Sequence, residues 1–132
     1  MNSALAAYLR DAGARPFAWG ACDCCSWTCD WVLQVAGVDP AAAWRGQCAS
    51  EHDARRIVAR GGGVLALAQA GCAAAGLVPT GDPLPGDVGV VLTPQGATMA
   101  IRTRIGWACK TTDGLAVGPY PRLAAWRVEC LR

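Results

Sequence analysis

An α+β domain is predicted, with N-terminal helices packed on a C-terminal antiparallel sheet or small open barrel. Three observations point to it. Apolar residues recur at helical spacing, with capping residues at the segment ends, through about residue 78. From Pro79 the chain changes to short β-prone runs broken by turn signals. Helices therefore precede strands instead of alternating with them, which argues against βαβ units. The 132 residues suit one domain with one core. Its helical half covers about 1–78 and its β half about 86–132.

The first helix is amphipathic. Asn2 or Ser3 is suited to cap it, Leu5, Tyr8, Leu9 and Ala12 fall at i, i+3, i+4 and i+7, and Gly13 is expected to stop it. Arg15-Pro16 then breaks the chain. Asp23 is suited to cap a second helix from Cys24 to about Ala36, closed by Gly37. Its polar residues Ser26, Asp30 and Gln34 form one narrow stripe, while Cys24, Trp27, Trp31, Val32 and Val35 cover most of the remaining surface. A helix that is apolar nearly all round is a buried one. Asp39-Pro40 predicts a short helical turn through Trp44 that ends at Gly46. Ser50 caps a third helix carrying Ala54, Ile57 and Val58, ended by Gly61-Gly62-Gly63, and an Ala-rich fourth helix covers about Val64 to Ala75. "PTGDPLPG" reads as a linker. The runs "DVGVVL", "ATMAIR", "IGWACK", "LAVGP" and "AWRVEC" read as strands joined by "TPQG", "TR", "TTDG" and "PYPRLA".

Composition narrows the function classes. Net charge is +2, and Lys110 is the sole lysine beside eleven scattered arginines, so no basic stripe marks a nucleic-acid partner. The start "MNSALAAYLRDAG" lacks a basic region followed by an apolar stretch, which predicts synthesis in the cytoplasm without a signal peptide. "GGVLALAQAGCAAAGLV" is interrupted by Gln69 and glycines, so no membrane span is expected. Eight cysteines in a reducing compartment are expected to be free, metal-bound or catalytic in preference to a disulfide framework.

Half of these cysteines fall in "PFAWGACDCCSWTCDW". Cys24 sits at the first turn of the second helix, where unpaired N–H groups and the helix dipole stabilise an anion and lower a thiol pKa. Trp19-Gly20, Asp23-Cys24 and the later Pro85-Gly86-Asp87-Val88 resemble the NlpC-type cell-wall peptidases of the papain-like superfamily. In that family the cysteine after the aspartate is the nucleophile, the Pro-Gly-Asp step opens the first barrel strand, and a histidine on the next strand is the base. The ordered set Phe17-x-Trp19-Gly20-x-x-Asp23-Cys24, Asp30-Trp31, Asp39-Pro40, Trp44-Arg45-Gly46, Gly61-Gly62, Gly86-Asp87-Val88 and Ala125-Trp126-Arg127-Val128 is similar to a small branch encoded in phage and prophage tail modules.

The resemblance implies a papain-like, NlpC-type fold with Cys24 at the nucleophile position, Asp23 beside it and Thr98 at the base position. Threonine cannot accept and return a proton near neutral pH, so the thiol–base pair is missing. That branch generally lacks the histidine as well. The implied role is structural, in the tail tip or baseplate of the virion, packing against hub or distal tail proteins. An active peptidase would instead attack peptidoglycan with Cys24, using backbone N–H groups near it as oxyanion donors.

Other side chains carry competing readings. Cys22, Cys25 and Cys29 are spaced closely enough to hold zinc or an iron-sulfur cluster, with Cys48, Cys72, Cys109 or Cys130 as a fourth ligand. The plainer expectation is no cofactor, with buried thiols in the core. Cys22-x-x-Cys25 also fits a redox dithiol, but the βαβ context is absent. The sole histidine, His52, is either a displaced base or a solvated residue at a helix start. The six tryptophans either line a sugar cleft or fill the core, and Asp87 is expected to stabilise a turn. Arg45 and Arg127 are candidates to pair with Asp30 or Glu129, or to reach a partner protein.

Overall fold

The computed structural model describes residues 2–19 and 23–129. Four helices precede the sheet: α1 (Asn2–Ala14), α2 (Cys24–Ala36), α3 (Glu51–Arg60) and α4 (Val64–Ala74). Strands β2 (Val88–Thr93), β3 (Gly96–Arg102), β4 (Trp107–Thr111), β5 (Gly114–Gly118) and β6 (Arg122–Arg127) form a five-stranded antiparallel sheet, to which the two-residue β1 (Val78–Pro79) adds an edge. The strand order is β1-β6-β2-β3-β4-β5. The last long strand therefore returns beside the first, with Val88 opposite Trp126 and Val90 opposite Ala124.

The α+β class and the order of helices before strands are as expected. The differences are local. α1 runs through Gly13 to Ala14 and already includes Ser3, so neither residue marks a boundary. The segment after Asp39 forms the expected hydrogen-bonded turns through Gly46, where the Asp39 carboxylate accepts from the Ala41 N–H and holds the chain. β1 lies where a linker was expected, since a strand of two residues has no periodicity to read. β6 starts at Arg122, within the expected turn, and ends before Val128.

α2 is the central helix. Asp23 caps its start and Gly37, in the left-handed conformation, closes its end. Trp27, Trp31 and Val32 are fully buried and join Val88, Val90, Met99, Ile101 and Ala108 in the main core. Tyr8 of α1 stacks on Trp27 and donates its hydroxyl to the Trp27 carbonyl. Burial of side chains this large supplies most of the stabilisation available to a domain of this size. A second, smaller cluster of Val91, Ala100, Trp107, Cys109 and Ala125 uses the alternate positions of the same strands.

Three polar links matter most, two joining the halves and one closing the β half. Trp31 Nε1 donates to the Gly86 carbonyl at 2.8 Å, tying α2 to the Pro-Gly-Asp turn. Asp87 is buried: Oδ2 accepts from the Leu84 N–H, Oδ1 accepts from the Val128 N–H, and Arg127 Nε lies 3.0 Å from Oδ2 as an ion pair. The Arg127 Nε–H direction misses that oxygen, so the contact is ionic and not a hydrogen bond. The Asp87 carboxylate thus joins the entry to β2 with the exit from β6, as its turn position suggested. Lys110, also buried, donates to the carbonyls of Ala12 and Arg15, so the sole lysine is a cation at the end of α1.

Arg45 bridges Asp30 at 2.7 Å and Asp39 at 2.7 and 3.0 Å. It pins the 39–46 turns to α2. Gly71 lets α4 pack onto the same turns, because a Cβ there would fall 2.1 Å from the Pro40 carbonyl oxygen. These contacts build one wall of the cleft described next.

Candidate functional site

Asp23 Oδ1 accepts from the N–H groups of Cys25 at 3.1 Å and Ser26 at 2.8 Å, and Ser26 Oγ accepts from the Asp23 N–H at 3.0 Å. This reciprocal box fixes the start of α2. It also occupies two of the N–H groups near Cys24 that an oxyanion would need. Asp23 is therefore a buried structural cap beside the thiol.

Cys24 occupies the first turn of α2 and is half-buried. Its thiol is pushed down to about 7, chiefly by a hydrogen bond from Cys25 and further by the Thr98 hydroxyl, against the opposing effects of burial and the Asp23 charge. The two sulfurs are 3.9 Å apart. Cys25 is pushed well above its ordinary value, first by the same contact and then by burial. The opposite directions make Cys24 the member of the pair that gives up its proton more readily. Thr98 comes from the start of β3, more than seventy residues away in sequence, and its Oγ1 also lies 3.3 Å from the Met99 carbonyl. Cys109 on β4 is buried, and its thiol is pushed up to about 11, by burial first and then by the charge of Cys24.

Cys24 and Cys25 open onto a cleft of about 460 Å³. Trp19, Trp44, Ile57, Val58, Val64 and Leu67 make it apolar, and Glu51, Arg55 and Gln95 add polar groups. Cys48 lines it as well. Its volume falls in the range of small-molecule sites. The linear sequence offers no signal that would bring Cys48, Trp44 and one face of α3 to Cys24; helix packing alone does so.

Of the other predicted residues, His52 is exposed. Glu51, Ala54, Arg55, Ile57, Val58 and Ala59 of α3 line the cleft, and His52 is not among the lining residues. The cleft receives Trp19 and Trp44, whereas Trp27, Trp31, Trp107 and Trp126 are buried. Cys22, one of the three expected metal ligands, lies outside the described residues, as do Gly20 and Cys130. Cys29 is buried and donates toward Met99 Sδ at 3.9 Å, and burial pushes its thiol far up. Among the described residues no three histidine, cysteine or acidic side chains converge as metal ligands. Arg127 pairs with Asp87, not Glu129.

Fold and site together define an α+β domain with a half-buried cysteine at the start of a central helix, beside a strand threonine and opening onto an apolar cleft. The chain belongs to the DUF6950 family, a domain of unknown function, whose model matches residues 1–128. No curated protein and no solved structure matches the chain.

Proposed function

We propose that this chain is a papain-like, NlpC-type domain that has lost hydrolase activity and serves as an assembly component of a phage tail tip or baseplate. The observation that carries the loss of activity is the Thr98 hydroxyl beside the Cys24 thiol. Amide hydrolysis needs a group there that takes the thiol proton and returns it to the departing amine. Threonine does neither near neutral pH, and the exposed His52 is not among the residues that line the cleft. The assembly role is supported by the ordered motifs from Phe17 to Val128 that resemble the tail-module branch. Exposed Ile105, at 82%, and Val117 border a groove with Leu5 and Leu9, an apolar surface suited to a protein neighbour.

The test pairs two assays. Purified protein is expected to leave muropeptides intact, and to form a stable complex when co-expressed with the hub and distal tail proteins of its own particle. A chain that stays monomeric beside every tail protein overturns the assembly role. The thiol near 7 favours one competing reading, an active peptidoglycan endopeptidase with Cys24 as nucleophile. Muropeptide cleavage that disappears in Cys24→Ser would establish that reading instead.

A further inference from the structure

We propose that Cys24 accepts acyl groups delivered as thioesters, with the acyl chain seated in the apolar cleft beside it. The inference rests on the Cys24–Thr98 geometry and the cleft, and not on any role in tail assembly.

The chemistry follows from what the site has and lacks. An amide releases an amine, which must be protonated as it leaves, and the Thr98 hydroxyl beside Cys24 is too weak an acid to supply that proton. A thioester releases a thiolate, which leaves unaided. Cys24 Sγ, at the start of α2 beside the Thr98 hydroxyl, attacks the thioester carbonyl as its thiolate. A carbon–sulfur bond to Cys24 forms as the donor's carbon–sulfur bond breaks. The electron pair departs on the donor sulfur, which then takes a proton from water, and no oxidant or reductant is needed. Hydrolysis of the new thioester would require an activated water. Thr98 cannot activate one, so the acyl group stays on Cys24.

The cleft selects the group. Trp19, Trp44, Ile57, Val58, Val64 and Leu67 line the space next to the thiol, and each methylene buried there favours the bound chain. Cys25 and Cys48 share the cleft, yet both thiols are pushed up, Cys25 by its contact with Cys24 and Cys48 by burial. Acylation is therefore directed to Cys24.

The test uses two donors, the acetyl and octanoyl thioesters of N-acetylcysteamine, at near-neutral pH, read by intact mass and peptide mapping. The expected result is one acyl group per chain, on Cys24, formed at least about tenfold faster from the octanoyl donor, with no release of free acid beyond that single turnover. Cys24→Ser loses the adduct. Ala54→Phe, which fills the cleft from the exposed helix α3, is expected to slow octanoyl transfer to the acetyl rate while leaving iodoacetamide labelling of Cys24 unchanged. That last readout shows that the variant is folded and its thiol intact. Equal rates for the two donors, adducts spread over several cysteines, or continuous release of acid overturns the proposal. Failure to bind tail proteins bears on the assembly role alone, and failure to acylate bears on this inference alone.

Discussion

Cys24 and Cys29 lie on one helix, five positions apart, and their thiols are driven in opposite directions. Cys24 stands at the rim, 3.9 Å from the Cys25 sulfur and beside the Thr98 hydroxyl, the two neighbours that lower its pKa. Cys29 stands in the core beside Met99, where burial is the largest influence and the neighbouring Cys72 adds to it. Cys72 itself is pushed up to about 12 by burial. The same residue type on the same helix is a half-buried thiol at a cleft or a piece of core according to which side of α2 it occupies.

Site-resolved alkylation of the native protein offers the largest contrast. Cys24 is expected to label with a midpoint near pH 7. Cys29 and Cys72 are expected to label more than about a thousandfold more slowly, since a buried core thiol reacts through global unfolding. Comparable rates for Cys24 and Cys29 would erase the distinction between rim and core.

Truncation of the core side of the helix comes next. Trp31→Ala removes a fully buried ring and its hydrogen bond to Gly86, and is expected to cost about 3–5 kcal/mol in urea denaturation. Cys24→Ser, on the rim, is expected to stay within about 0.5 kcal/mol of the parent. Asp87→Ala leaves the N–H groups of Leu84 and Val128 without their acceptor and Arg127 without its counter-ion, at about 3 kcal/mol. A loss below about 1 kcal/mol would show that the turn holds without its carboxylate.

Thr98→Val sharpens the contrast at the rim. It deletes a hydroxyl that lowers the Cys24 pKa, so the alkylation midpoint is expected to move upward while stability changes little. An unmoved midpoint would show that Cys25 alone stabilises the thiolate.

The smallest effect is on acid stability. The hydrogen bond from Arg45 holds the Asp39 carboxyl below its ordinary value of 3.8, aided by the Ala41 N–H and against partial burial. A carboxyl with a depressed folded pKa contributes stability that is fully present above its unfolded value and is lost as pH falls through the folded one. Arg45→Gln is therefore expected to lower stability at neutral pH and to flatten the part of the acid-unfolding curve below about pH 3.8. An unchanged acid limb would remove the Arg45–Asp39 pair from the account.

Much of the helical half was legible because its signals are local. Asp23 and Ser50 are side chains that bond N–H groups two or three residues on, and Gly37 takes a left-handed conformation that glycine adopts without strain. The periodicity of α2 reported its burial for the same reason. Where local signals conflict with tertiary partners they mislead. Gly13 reads as a stop, yet α1 continues past it, its final carbonyls held by Lys110 from the opposite half of the chain. β1 exists because β6 offers an edge to Val78 and Pro79.

The sequence by itself determined the α+β class, the caps and bounds of α2, and the place of Cys24 at a helix start, since each depends on residues within a turn or two of one another. Tertiary structure alone decided which thiol is poised. The Thr98 hydroxyl, the cleft walls from the 40s turns and α3, and the exclusion of His52 from that cleft all depend on how helices and sheet pack. A thiol's pKa is set by its burial and its hydrogen-bond partners, and while Cys25 is already beside Cys24 in the sequence, the burial and the Thr98 hydroxyl arrive only when β3 and α2 meet.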